Sequence, residues 1–191
     1  FGLILRYSNQ GGEGNSGGND ESGEGGSEPS ISSMADAAFL YLAGQYTRYL
    51  LGNQQYFNLA LRKIEECVTS GHPESQVVAL YSFKKIAIGC GKNLVKTDFA
   101  QKLFQQFNDI LQQIPPDLHL TLFEAAMNLV KTNPNKAQRD EMALELFQRA
   151  DTISIVTDLI PLAEQVSLQS MDSMIHSMIG QFTSSEIEEQ T

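Results

Sequence analysis

The sequence predicts an all-α fold, a HEAT-type α-solenoid of antiparallel helix pairs. Three observations carry this. Apolar residues recur at steps of three and four from Ile31 onward, the spacing of a helix face. Gly, Pro and Asn clusters break the pattern at short intervals. Pairs of helices begin near Gln54, Asp98 and Gln138, a spacing of about forty residues and the period of HEAT repeats. No alternating strand pattern competes. A compact helical bundle is the structural alternative.

Taken in order, Phe1 to Asn9 reads as the end of a preceding HEAT helix. Residues 10–31 form a flexible acidic loop: Gly11 to Ser30 holds Gly, Ser, Asn, Asp and Glu, and the Pro29 ring is its one apolar side chain. Such a stretch cannot bury enough surface to offset the entropy of ordering it. The solenoid segment spans 32–183. Its first helix, Ala35 to Leu51, carries Ala38, Leu42, Tyr46 and Tyr49 on one face, and Gly52-Asn53 stops it. After the helix Gln54 to Thr69, Ser70-Gly71-His72-Pro73 turns the chain. Ser75 to Cys90 follows, with Leu80, Phe83, Ala87 and Cys90 in register and Gly91 closing it. Asp98 to Ile114 is expected as one helix, capped by Thr97 or Asp98. Pro115-Pro116 breaks it, and Asp117 is placed to cap a helix to Val130. Asn133-Pro134-Asn135 turns the chain into the pair Gln138 to Ala150 and Ile153 to Leu168, the second kinked at Pro161. Met171, Met174, Ile175, Met178 and Phe182 stripe a last helix, and 184–191 is an acidic tail.

Gln54 to Val68 stands out because it carries two apolar stripes. Phe57, Leu61, Ile64 and Val68 share one face. Tyr56, Ala60 and Cys67 follow the same spacing one residue earlier, interrupted by Lys63. A helix packing against a single partner needs one stripe. The second must meet another helix or a ligand, and periodicity alone favours packing between neighbouring repeats.

Composition narrows the function classes. The 191 residues are 41% hydrophobic, ordinary for a folded domain, with a formal charge of −10. That balance argues against nucleic acid or an anionic membrane as main partner, since both select basic surfaces. It suits a basic protein partner. No apolar run approaches the roughly 20 residues of a membrane span, and the apolar start, Phe1 to Leu5, is too short for a signal peptide. The chain starts in mid-pattern and is expected to be a segment of a longer protein. Cys67 and Cys90 form no CxxC pair, so a reducing compartment is favoured and both read as buried apolar residues. His72, His119 and His176 lie far apart without ligand spacing, so no metal site or cofactor is expected. No nucleophile has a His and Asp arrangement, no Gly-rich loop follows a strand, and no catalytic residues are assigned.

The ordered series Ala43-Gly44-Gln45-Tyr46-Thr47-Arg48-Tyr49-Leu50, Ser82-Phe83-Lys84-Lys85-Ile86-Ala87 on to Cys90, Asn108-Asp109-Ile110-Leu111 and Phe123-Glu124-Ala125-Ala126 resembles the exportin-1 family, the nuclear export receptors of the importin-β (karyopherin) superfamily. The resemblance implies a central stretch of a ring-shaped HEAT solenoid. There, two adjacent outer helices form a hydrophobic groove for the leucine-rich nuclear export signal of cargo proteins. Gln54 to Val68 would be the second groove helix, Phe1 to Tyr7 the end of the first, and Ala35 to Leu51 the helix between. Tyr56, Ala60, Ile64 and Cys67 match groove-lining positions, and Lys63 matches a basic residue touching the bound peptide. Ile4 falls where the family's reactive groove cysteine would sit, so covalent groove inhibitors would lack their thiol here. The resemblance further implies coupling to Ran-GTP through the full-length protein, nucleoporin contacts, and shuttling between nucleus and cytoplasm, with no direct role for nucleic acid or membrane. A generic HEAT scaffold or another importin-β-type receptor is the alternative, and an enzyme regulated through helical repeats stands behind both.

Overall fold

The computed structural model describes residues 31–150 apart from Gly71, residues 153–163, and His176. Ile4 and the first groove helix, the acidic loop up to Ser30, the Met171 to Phe182 stripe and the tail lie outside the described residues. The described helices are α1 (Ile31–Gln45), α2 (Thr47–Leu51), α3 (Gln54–Thr69), α4 (Pro73–Leu94), α5 (Asp98–Gln105), α6 (Phe107–Gln113), α7 (His119–Lys131), α8 (Lys136–Arg149) and α9 (Ile153–Leu159). Two short 3-10 turns cover Pro116–Leu118 and Ile160–Ala163, and among the described residues there is no strand. In one layer α1, α4, α7 and α9 lie side by side; α3, α5 with α6, and α8 pack against it as the other. This is the antiparallel pairing of a HEAT-type solenoid.

Short polar side chains set the starts. Asn53 accepts from the Tyr56 amide at 3.4 Å, Thr97 from Ala100 at 3.4 Å, and Asn135 from Gln138 at 3.2 Å. Pro73 occupies the first turn of α4, where its missing N–H is no loss. Asp117 does not cap α7. It sits inside the 3-10 turn, and Leu118 takes the cap position with no side-chain bond.

Two helices expected as continuous are broken. The first ends at Gln45 and resumes at Thr47, because Tyr46 has left the helical region at φ −112°, ψ 47°. Asp98 to Ile114 breaks at Gln106, where φ −104°, ψ 15° interrupts the ladder and separates α5 from α6. α4 is longer than expected, running through Gly91 to Leu94. Its glycines are close contacts rather than stops. A Cβ on Gly89 would lie 2.4 Å from Thr47 Oγ1, and one on Gly91 2.6 Å from Thr132 Cγ2. Bare backbone on both sides lets α4 seat tightly between α2 and the end of α7.

Phe57, Phe83, Phe107, Phe123 and Phe147 are the largest buried side chains. Phe107 and Phe123 meet edge to face at 5.0 Å between centroids, a favoured aromatic geometry. Arg149 lies over the Phe107 ring at 5.7 Å and donates to the Phe104 carbonyl at 2.8 Å, tying α8 to α5 and α6.

One buried polar group joins three helix ends. Gln76, 1% exposed, donates through Nε2 to the Val68 carbonyl at 2.8 Å and the Gln113 carbonyl at 2.9 Å. Both carbonyls belong to last turns, whose oxygens lack intrahelical donors. Gln76→Leu is expected to lower the unfolding free energy by about 1–3 kcal/mol, the penalty for buried acceptors left without a donor. Urea unfolding followed by circular dichroism measures it, and an unchanged midpoint would mean water replaces the amide.

Candidate functional site

α3 is the helix on which the candidate site residues converge, and both of its stripes are covered. Phe57, Leu61 and Val68 are buried, as the first stripe requires. Ala60 is 0% exposed, Ile64 2% and Cys67 8%, so the second stripe offers little open surface. Tyr56 is half-buried, its ring 5.8 Å from Tyr49 and tilted against it. Ile64 goes with the first stripe, lining a cavity on the α4 side. Ala60, Lys63 and Cys67 share the other face by helical register. Ile4, on the opposite wall of the expected groove, lies outside the described residues.

Lys63 sits in a seam between α3 and α1. Its Nζ donates to Asp36 Oδ2 at 3.0 Å and lies 3.0 Å from Glu66 Oε2, with Lys63 and Asp36 side chains each 16% exposed. Burial works to lower the Lys63 pKa, but the hydrogen bonds and charges of Glu66 and Asp36 outweigh it, and the net shift is upward. The ammonium is therefore held charged. Asp36 is the residue the sequence reading missed. It lies 27 positions from Lys63, and no local periodicity couples the two.

The same seam silences Cys67. Burial, then the Asp36 charge, pushes its thiol from 9.0 up to about 11; Lys63 opposes the shift and Glu66 adds to it. Cys90 is also raised by burial, and its Sγ donates to the Thr47 carbonyl at 3.4 Å. Neither is poised as a nucleophile, because the thiolate is the reactive form. The sign of the pH effect follows. Between the ordinary thiol value and about 11 the unfolded chain has lost the Cys67 proton and the folded chain keeps it, so stability falls as pH rises through that window. The raised Lys63 adds a loss of the same sign as pH rises above its ordinary value of 10.5. Thermal unfolding of Cys67→Ala beside the parent chain isolates the thiol: the mutant is expected to lose less stability over this window. Equal slopes would place Cys67 in contact with water.

Below the seam, α3, α4 and α5 leave an apolar cavity of about 70 Å³, lined among others by Ile64, Val68, Leu80, Phe83, Phe99 and Leu103. Its walls are mostly apolar and offer water few partners. Glu65 and Lys102 line its edge and pair at 3.4 Å, linking α3 to α5. Among the described residues no group of three or more His, Cys, Asp or Glu could hold a metal ion, and no helix is long and apolar enough to cross a membrane.

No family model matches the chain. Three curated proteins do. Exportin 1A of Arabidopsis thaliana is 24% identical over 114 residues, covering 56% of this chain. Exportin-1 of Drosophila melanogaster is 24% identical over 115 residues, covering 57%. Exportin-1 of Schizosaccharomyces pombe is 22% identical over 114 residues, covering 56%. The chain is similar to exportin-1. The similarity is divergent and partial, spanning 11% of the length of each of these exportins.

Proposed function

We propose that this chain is a segment of a nuclear export receptor that takes leucine-rich export signals of cargo proteins. The observation that carries the reading is the similarity to exportin-1 proteins of a plant, an insect and a yeast. The peptide would dock along α3, with Tyr56, Ala60, Lys63, Ile64 and Cys67 on one side and Ile4 on the other. An amphipathic peptide presents spaced apolar anchors to such a surface. Each leucine-type anchor is worth about 1.5–3 kcal/mol before ordering costs. Because Ala60, Ile64 and Cys67 are covered in the unbound chain, docking on this reading goes with an opening beside α3. Lys63 then exchanges part of its contact with Asp36 for a peptide carbonyl.

The rest of the transport cycle belongs to the same proposal: coupling to Ran-GTP through the full-length protein, contact with nucleoporins, shuttling between nucleus and cytoplasm, and no catalysed reaction. A second reading is a HEAT scaffold with another protein ligand. The covered second stripe and the Lys63–Asp36 contact favour it, since both are what ordinary packing between helices produces.

A titration of the full-length protein with a fluorescent leucine-rich export-signal peptide, with and without Ran-GTP, separates the two. Tyr56→Ala is the informative variant, because its ring is at the rim. Export-receptor function predicts tighter binding with Ran-GTP and about tenfold weaker binding of the variant. Peptide affinity indifferent to both would leave the scaffold.

A further inference from the structure

Beyond α3, a groove of about 640 Å³ lies where the last turns of α4 and α7 meet the first turn of α8. Lys92, Lys96, Lys131 and Arg139 line it, and no carboxylate does. In a chain with 13 basic and 23 acidic residues, four cations and no carboxylate in the lining of one groove are a marked departure from the average. None of the four enters an ion pair among the described residues.

Ordinary helix electrostatics explains half of this. Lys92 and Lys131 lie in the last turns of α4 and α7, where a cation complements the negative end of the helix dipole. It does not explain Lys96, beyond the end of α4. It explains Arg139 still less. α8 begins with Lys136 and Arg139 and has no acidic residue in its first turn, so positive charge stands at the positive end of a dipole. Arg139 donates through Nη1 to the Asn133 carbonyl at 3.3 Å, while its buried Nε meets no acceptor among the described residues. The groove also holds Ile88, 60% exposed, an apolar side chain among the cations. Through Lys96, Asn133 and Pro134 it continues into a second hollow of about 420 Å³ edged by Gln101, Gln105 and Gln138.

We propose that this groove docks an acidic peptide segment of a partner protein, with an apolar residue beside its carboxylates. The cations come from α4, the stretch after it, α7 and α8, and the groove runs on into the second hollow, which suits charges spaced along an extended chain rather than one compact anion. Ile88 supplies the apolar contact, and the glutamine edge supplies donors and acceptors for the peptide backbone. The site is distinct from the α3 surface, so it stands or falls independently of the export-signal reading.

The test uses the intact protein and a fluorescent eight-residue peptide of glutamates with one central leucine. Binding is expected to weaken steeply from 0.05 to 0.3 M salt, because exposed charges are screened. Lys92→Glu with Lys131→Glu is expected to weaken it about tenfold or more, whereas Lys85→Glu, an exposed lysine outside the groove, changes it little. Replacing the leucine by serine should weaken it several-fold. Equal losses from Lys85→Glu and from the groove variant would reduce the effect to net charge and overturn the proposal. Displacement by an equimolar amount of inorganic phosphate would overturn it in favour of a small-anion site. Binding seen only after deletion of residues 11–30 would overturn it in favour of the chain's own acidic segment.

Discussion

Phe123→Ala is expected to lower the stability of this chain by about 3–5 kcal/mol, the range for removing a large buried aromatic side chain. Phe123 is 0% exposed at the middle of α7, and its ring meets Phe107 of α6 edge to face. Phe107 in turn carries Arg149 of α8 over its other contacts. The loss therefore combines apolar transfer, an unfilled cavity and a broken aromatic pair across two layers. Whole domains are stable by only about 5–15 kcal/mol, so this one change removes a large share of the total. Chemical denaturation measures it. A loss below 1 kcal/mol would mean that α6 collapses onto α7 to refill the space.

Ala60→Glu is expected to destabilise the fold by about 3 kcal/mol, from overpacking and from placing a carboxylate where there is no water. Ala60 is 0% exposed, on the face of α3 that carries Lys63 and Cys67. Lys63 lies one turn on and can recover part of the charge penalty, but it already holds Asp36 and Glu66. The result bears directly on the site. If the variant unfolds at lower denaturant, its loss of peptide binding says nothing about a groove, and Tyr56→Ala must carry that test. If it folds with an unchanged midpoint, the second stripe of α3 faces open space and the docking surface stands ready without rearrangement.

The fold was legible because its signals are local. The three-four spacing of Phe57, Leu61, Ile64 and Val68, the stop at Gly52-Asn53 and the capping chemistry of Thr97 are contained within one or two turns each. The breaks at Tyr46 and Gln106 were not legible, because neither residue is a helix breaker and the apolar spacing continues across both. Gly91 misled in a similar way: a glycine that ends a helix and one that admits a neighbour look alike in sequence. At the site, periodicity gave the faces of α3 but not their partners. Asp36 reaches Lys63 from another helix, and the cations of the basic groove come from α4, the stretch just after it, α7 and α8. No spacing rule along the chain links such residues.

The glycine contacts of α4 have a mechanical consequence. With Thr47 of α2 pressed against Gly89, Thr132 at the end of α7 against Gly91, and Ser82 of α4 against Gly44 of α1, α4 is closely interlocked with its neighbours. The opposite layer is less tightly joined: beside α3 and α5 it has the cavity, and at its edge the Glu65–Lys102 pair, which is open to water. The superhelix should then bend as a bimetallic strip does, with one layer holding its length while the other opens or closes. Curvature changes along the solenoid would be felt first at α3, the helix on which the candidate site is built.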